Sequence, residues 1–130
     1  MVFKCRPIVE GLVEGKALVI NKPVSFFGDV DPISGVIKLN GGNEIIKDRI
    51  LIFPHGKGST VGSYIIYGLK KYGNKPKAIV NVVADPVIVI GCVLADIPLV
   101  DKVSEGIFKY VKTGDYVKVD AYRGLILLCK

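Results

Sequence analysis

A glycine-rich turn that carries two hydroxyl residues stands near the middle of the chain. Residues 54–63 read PHGKGSTVGS; they follow a compact apolar segment, residues 49–53, and precede apolar residues that recur at helical spacing. Where a strand passes into a helix, unpaired backbone N–H groups and the positive end of the helix dipole favour an anion. The hydroxyls of Ser59 and Thr60 are therefore placed to bind an anionic ligand or to take part in a reaction.

Ser59 admits two interpretations on its chemistry alone. A serine hydroxyl is a weak base or nucleophile unless its surroundings activate it, and a helix N-terminus with backbone donors stabilises its alkoxide. The same serine could instead cap a predicted helix over residues 60–72, with Thr60 in the first turn. The residue types leave both interpretations open.

Nucleotide-binding motifs match the turn less well. Gly56, Gly58 and Gly62 give G-x-G-x-x-x-G, but no acidic residue stands at the end of the next strand, where a dinucleotide-binding fold needs one. The phosphate loop of NTPases requires a lysine directly before Ser or Thr, whereas Lys57 precedes Gly58. We therefore interpret the turn as an anion site of another kind.

Three further polar residues are candidates for a functional site. His55 is the only histidine and has no second metal ligand beside it, so packing or capping is expected; a phosphorylated carrier histidine is the alternative. Asp29 and Asp31 lie among turn-forming residues, where paired acids more often brace a loop than catalyse. The sequence predicts no metal site from these residues.

The elements that must position the turn indicate a mixed α/β fold. Strand 49–53, helix 60–72 closed by Gly73, and strand 78–83 predict a parallel crossover. Further expected elements are short strands and long loops over 1–40, a helix over 86–95 with Asp85 as N-cap, a strand over 97–100, and a hairpin of 116–120 and 125–129. No linker divides the chain, which predicts a single domain over residues 1–130.

Composition excludes several classes of protein. The net charge of +6 is dispersed, without the basic stripe and stacking aromatics of a nucleic-acid interface. Cys5, Cys92 and Cys129 are widely separated, which argues against a disulfide scaffold and against an iron–sulfur or zinc site built from this chain alone; we expect reduced, largely buried thiols. Without a leader or an 18-residue apolar run, the chain is expected to be cytoplasmic and not membrane-bound.

Segments in order over nearly the whole chain resemble the swivel domain, or small subunit, of the aconitase X family. The matching segments are Gly11-x-x-x-Gly15 before Ala17-Leu18-Val19; Pro23-Val24-Ser25-Phe26-Phe27-Gly28-x-Val30-Asp31-Pro32-x-x-Gly35; Leu51-Ile52-x-Pro54-x-Gly56-Lys57-Gly58-Ser59-Thr60-x-Gly62-Ser63; Ala84-Asp85-Pro86-Val87; and Thr113-Gly114-Asp115-x-Val117-x-Val119-Asp120.

The resemblance implies a swivelling β/β/α domain, with a mixed, barrel-like sheet and flanking helices, that completes an active site on a separate large subunit in a heterodimer. It implies a hydro-lyase that dehydrates (R)-5-phosphomevalonate to trans-anhydromevalonate 5-phosphate in an archaeal mevalonate pathway. A [4Fe-4S] cluster is expected on the large partner, and none on this chain. The alternatives are another hydroxy acid such as 3-hydroxyproline, or a non-catalytic anion-binding module.

The resemblance also implies roles for residues of the turn. Ser59 matches the serine that accepts a proton in aconitase-like dehydratases, while Lys57, Gly58 and Thr60 are expected to hold anionic oxygens. Those relatives follow the two hydroxyl residues with an arginine that binds a substrate carboxylate. This chain has Val61 there, so such a contact must come from elsewhere. The loop 26–32 is the expected contact with the large subunit.

Overall fold

The protein is built around an eight-stranded mixed sheet. The structure is a computed structural model, which describes residues 1–129. The strands are β1 Val2–Lys4, β2 Arg6–Val9, β3 Leu12–Val19, β4 Val30–Asp31, β5 Val36–Leu39, β6 Gly42–Ile45, β7 Ile50–Ile52, β8 Ala78–Val80, β9 Leu99–Asp101, β10 Tyr116–Asp120 and β11 Leu125–Cys129. The helices are α1 Phe26–Asp29, α2 Gly62–Lys71, α3 Pro86–Ala95 and α4 Ile107–Tyr110.

The large sheet curls into a barrel-like layer. Its strand order is β1-β11-β10-β3-β7-β8-β9-β2. In the chain, only Cys5 separates β1 from β2, so the two ends of this order lie a few ångströms apart and the sheet must bend to bring them together. The central strands β3, β7, β8 and β9 are parallel, and antiparallel partners flank them. The expected mixed, barrel-like sheet is confirmed.

The crossovers β7-α2-β8 and β8-α3-β9 place α2 and α3 against one face of the sheet. Because strand side chains alternate between faces, Leu51 packs toward the helices with Leu69 and Ile88, while Ile50 and Ile52 pack inside the curl. All three β7 residues are buried, as expected of a parallel strand covered on both faces. The predicted parallel crossover is confirmed.

A second, three-stranded antiparallel sheet, β4-β5-β6, covers one edge of the helix layer. Val30 of β4 and Ile37 of β5 belong to the same buried cluster as Leu69 of α2. The short helix α1 leads into this sheet and contacts α2. These two sheets and the helices correspond to the β/β/α architecture that the sequence implied.

Several predicted element boundaries were wrong: the strand over 49–53 is Ile50–Ile52, the strand over 97–100 is Leu99–Asp101, and two larger differences lie beside the glycine-rich turn. The strand over 78–83 ends at Val80, because the backbone N–H groups of Val82 and Val83 both donate to the Pro54 carbonyl (2.9 and 3.1 Å) instead of extending the ladder. The helix over 60–72 begins only at Gly62. The helix over 86–95 is confirmed, with the Asp85 side chain accepting a hydrogen bond from the Ile88 N–H at 3.0 Å.

The three thiols differ in exposure. Cys92 is buried between α3 and α2, and burial raises its pKa. Cys5 is half-buried, and burial, then the charges of Asp101 and Asp120, raise its pKa to about 11. Cys129 ends β11 and is exposed, so the expectation of largely buried thiols was wrong there.

Among the helices of residues 1–129, none has the length and apolarity to span a membrane.

The predicted β10–β11 hairpin is confirmed, and Asp120 stabilises its turn. Its carboxylate accepts hydrogen bonds from the backbone N–H groups of Arg123 and Tyr122, each at 3.0 Å, and these bonds hold its pKa below the ordinary value. A carboxylate with a depressed pKa in the folded state stabilises the fold above its unfolded pKa of about 3.9 and loses that contribution as the pH falls.

Asp120→Asn should therefore be less stable than the unmodified chain at pH 7, with the gap closing as the pH falls from about 4 through the folded pKa of Asp120. Urea denaturation at several pH values measures it. Glu105→Gln is the control, because that exposed carboxylate accepts no side-chain hydrogen bond among residues 1–129. A stability gap that stayed constant down to pH 2 would contradict this role of Asp120.

Candidate active site

The glycine-rich turn is fixed at its stem by backbone pairing with a distant segment. Val24 forms an isolated parallel bridge with Gly56: the Val24 N–H donates to the His55 carbonyl (3.1 Å), and the Lys57 N–H donates to the Val24 carbonyl (3.0 Å). Pro54 accepts the two hydrogen bonds from the segment after β8 described above. The turn therefore leaves the carboxyl end of β7 in a defined direction, and its tip projects into solvent.

Ser59 lies at the exposed tip of the turn and is not the N-cap of α2. Val61 holds the N-cap position and has no side-chain capping bond. The Ser59 hydroxyl oxygen accepts a hydrogen bond from the Val61 N–H at 3.1 Å, and its carbonyl accepts one from the Gly62 N–H at 3.0 Å. Ser59 thus forms a serine turn immediately before the helix, which corrects the interpretation of it as a cap of helix 60–72.

The same local geometry occurs at Ser104. Its hydroxyl oxygen accepts from the Gly106 N–H at 3.2 Å, its carbonyl accepts from the Ile107 N–H at 3.0 Å, and Gly106 is the N-cap of α4. A serine turn at a helix start is therefore a recurring structural motif in this chain. What could distinguish Ser59 must lie in its surroundings.

Free backbone donors surround Ser59. Among the hydrogen bonds of residues 1–129, none uses the N–H groups of Gly58, Ser59 or Thr60. Three consecutive unpaired N–H groups in an exposed turn can bind the oxygens of one anion. The side chain of Lys57 joins none of the ion pairs in the described chain, so its ammonium is also free. The turn offers donors and positive charge without a bound partner of its own.

A cavity of about 400 Å³ lies beside these donors. The N-termini of α2 and α3 both border it, so two helix dipoles present their positive ends there. Its lining consists of Val24, Phe26, Gly56, Lys57, Gly58, Ser59, Thr60, Gly62, Asp85, Pro86, Val87 and Ile88. The predicted site residues Lys57, Gly58, Ser59 and Thr60 are thus brought together at one cavity.

Two positions of the turn require glycine because of the backbone geometry and packing there. Gly58 has φ +93°, which side-chain-bearing residues rarely adopt. A Cβ at Gly56 would lie 2.5 Å from a carboxylate oxygen of Asp85 and 3.1 Å from Ile88. Gly56 therefore lets the turn approach the start of α3 closely. The glycine pattern follows from this packing and needs no dinucleotide to explain it.

The other polar candidates stand outside the cavity lining. His55 is exposed, and its Nδ1 lies 2.8 Å from the Gly56 carbonyl oxygen. Asp29 accepts a hydrogen bond from the Ser25 N–H and Asp31 one from the Ile33 N–H, both at 3.0 Å. Both aspartates brace their own loop, as the sequence predicted.

Part of the site was not identified from the sequence. Val24, Phe26, Asp85, Val87 and Ile88 line the cavity but were not proposed as site residues. All but Ile88 lie in the segments 23–35 and 84–87 that carry the family resemblance, and apart from Asp85, the expected N-cap, none of them was given a role from its chemistry. That unexplained resemblance was the available signal, since the pairing of Val24 with Gly56 is a long-range contact that no local pattern encodes.

A larger groove of about 810 Å³ lies at the amino ends of the parallel strands, beside the starts of β7, β8 and β9. Its lining mixes both signs of charge: acidic Glu10, Glu14, Asp48 and Asp96 with basic Lys75, Lys77 and Lys118. No serine, cysteine or histidine lines it. The smaller cavity at the glycine-rich turn, with its hydroxyls and free donors, is the better candidate for chemistry.

The described residues 1–129 contain no group of three or more His, Cys, Asp or Glu side chains that could hold a metal ion. Cys92 belongs to the helix-side core, whereas Cys5 packs against the core inside the curl of the sheet. These donors do not fit an iron–sulfur cluster. The site as it stands can offer a hydroxyl and anion donors.

This chain is similar to known proteins over nearly its whole length. The family model for the aconitase X swivel domain matches residues 2–128. A phosphomevalonate dehydratase small subunit of Methanococcoides burtonii is 46% identical over 129 residues, covering 97% of this chain and 94% of that protein. The counterpart of the same name from Archaeoglobus fulgidus is 46% identical, with 98% of each chain covered.

A solved structure shows the same fold. It is the crystal structure of Thermococcus kodakaraensis aconitase X in its holo-form, in which one chain superposes with a TM-score of 0.93 at 42% identity, covering 100% of this chain and 99% of that one. A solution NMR structure of a UPF0107 protein superposes with a TM-score of 0.92 at 44% identity, with both chains fully covered.

Proposed function

Because this chain belongs to the aconitase X swivel-domain family, we propose that it is the small subunit of a hydro-lyase that dehydrates (R)-5-phosphomevalonate to trans-anhydromevalonate 5-phosphate. The observation that carries the proposal is near-full-length identity of 42–47% to proteins named phosphomevalonate dehydratase small subunit. The reaction belongs to an archaeal mevalonate pathway to isoprenoids. Residues 1–130 act as one swivel domain, of which Lys130 lies outside the described residues.

The active enzyme is a heterodimer with a large subunit. The relatives' names call them small subunits, which implies a large partner. The [4Fe-4S] cluster that the family implies is assigned to that partner, because Cys5 and Cys92 pack with separate buried clusters, Cys129 is exposed, and residues 1–129 contain no group of metal ligands. The cytoplasmic location of the pair is likewise a proposal, which rests on the chain's composition.

Ser59 is the proton acceptor in this proposal. Dehydration removes a proton from the carbon between the carboxylate and the hydroxyl-bearing carbon, and the hydroxyl leaves as the double bond forms. The Ser59 alkoxide takes that proton and becomes a hydroxyl. The Val61 N–H, 3.1 Å from the Ser59 oxygen, and the positive end of the α2 dipole stabilise the alkoxide before the transfer.

The free N–H groups of Gly58, Ser59 and Thr60, with the Lys57 ammonium, hold anionic oxygens of the substrate. Such donors stabilise negative charge as it develops on a carboxylate next to the carbon that is losing its proton, and they are most effective where water is excluded. The turn is exposed in this chain alone, so the large subunit must cover it. Val61 offers no cationic contact to a substrate carboxylate, which the partner then supplies.

Reconstitution with the large subunit tests the function. The pair should convert 5-phosphomevalonate to the dehydrated product, whereas this chain alone should give no turnover with either 5-phosphomevalonate or 3-hydroxyproline. Product is measured by mass spectrometry. Dehydration of 3-hydroxyproline but not of 5-phosphomevalonate would assign the alternative substrate, and full activity of the isolated chain would overturn the assignment to a small subunit.

A further inference from the structure

Helix α3 has an apolar outer face. Its ten residues, PVIVIGCVLA, include no charged side chain. One face packs against α2 and the core through Ile88, Gly91, Cys92 and Ala95. The residues that this packing leaves in solvent are aliphatic as well: Ile90, Val93 and Leu94 are 51%, 61% and 49% exposed.

A helix on the surface of a free-standing protein normally presents polar side chains to water. Helix α2 shows the contrast, because its exposed positions include Lys70 and Lys71 in the last turn. A helix that is apolar all round is found where it is covered on all sides. The outer face of α3 therefore has the composition of a buried surface.

This apolar face is continuous with the mouth of the candidate active site. Pro86 and Val87, the first residues of α3, line the cavity. From Val87, residues 90, 93 and 94 follow at helical spacing, so the apolar outer face of α3 runs from the cavity along the outside of the helix. Exposed Val83 precedes the same helix, and Val61 precedes α2 beside the cavity; these two side chains are 59% and 40% exposed.

We infer that the outer face of α3, defined by Val87, Ile90, Val93 and Leu94, is the docking surface for the large subunit. The inference rests on the proposed function, which requires that a partner reach Ser59. A partner that covers the cavity mouth meets the start of the apolar α3 face directly, and the matching partner surface is apolar. The loop 26–32, predicted as the contact from the sequence, adds exposed Phe27, which follows Phe26 of the cavity lining.

Val93→Glu tests the inference. Buried at an apolar interface, a glutamate loses its hydration without a partner, so the affinity for the large subunit should fall on the order of tenfold or more. The fold should survive, since glutamate is a better helix former than valine and Val93 is largely exposed. Val2→Glu is the matched control: Val2 is 56% exposed on the edge strand β1, and the affinity of this variant should be unchanged.

Affinity is measured by calorimetric titration of the unmodified large subunit with each variant, with circular dichroism to verify folding. Leu94→Glu should repeat the effect of Val93→Glu. Unchanged affinity of both α3 variants, with the unmodified pair associating, would overturn the docking surface and leave the proposed function standing. If the unmodified pair did not associate, both the docking surface and the proposed function would be overturned. Self-association that Val93→Glu abolishes, without loss of subunit affinity, would instead assign the face to a second copy.

Discussion

Ser59→Ala in the reconstituted pair is expected to lower kcat by a factor on the order of 10² to 10⁴, the usual contribution of a positioned general base. The KM should change little, because the free N–H groups of the turn and Lys57 remain. Association with the large subunit should also persist, since Ser59 contacts solvent and its own turn. The measurement is steady-state kinetics on the pair, with calorimetry for association.

Ser104→Ala is the matched control for that variant. It removes the same kind of hydrogen bond, donated by the N–H two residues later to the serine hydroxyl oxygen, at another helix start. Its kcat should equal that of the unmodified pair. If the two variants lost activity equally, the effect would come from a weakened turn and Ser59 would have no special role.

Gly56→Ala is the second change with a large expected effect. The added Cβ would lie 2.5 Å from an Asp85 carboxylate oxygen and 3.1 Å from two carbons of Ile88, so these two side chains must shift or the turn and the start of α3 must separate. Overpacking of this kind costs about 1 to 3 kcal/mol of stability. Because a misplacement of about 1 Å in an active site can cost on the order of 10² in rate, kcat should fall by about that factor.

Gly41→Ala provides the comparison. A Cβ at Gly41 meets no atom within 4 Å, so its effect on stability should lie within about 0.5 kcal/mol, and kcat should not change. Thermal unfolding and steady-state kinetics of the two variants measure the difference. Equal behaviour of Gly56→Ala and Gly41→Ala would show that the close approach of the turn to α3 has no role in activity.

The sequence predicted those elements whose signals are local. The helix over 86–95 was predicted from Asp85 and Pro86, although Val87 to Ile90 favour strands, and the cap together with burial against α2 prevails. The end of β8 was missed, because Val82 and Val83 have strand-forming side chains while their N–H groups are taken by Pro54. A β-propensity pattern does not encode that competition.

In the candidate site, too, the residues with a local sequence signal were predicted and those placed by long-range contacts were not. Lys57, Gly58, Ser59 and Thr60 are contiguous, so the sequence could bring them together. The far wall of the cavity depends on the pairing of Val24 with Gly56, across more than thirty residues, and no spacing rule predicts it. The outer face of α3 was also missed, since an all-apolar helix in sequence gives no sign of which side its neighbours cover.

The most direct test of the central claim, that Ser59 exchanges the proton, follows hydrogen instead of product. In D₂O the unmodified pair should place deuterium on the carbon next to the carboxylate of 5-phosphomevalonate, because reversal of the dehydration returns a solvent-exchanged proton from Ser59. Mass spectrometry of recovered substrate measures this incorporation. Ser59→Ala should reduce this incorporation as strongly as it reduces turnover; incorporation at the unmodified rate by the Ser59→Ala pair would contradict the role of Ser59 as proton acceptor.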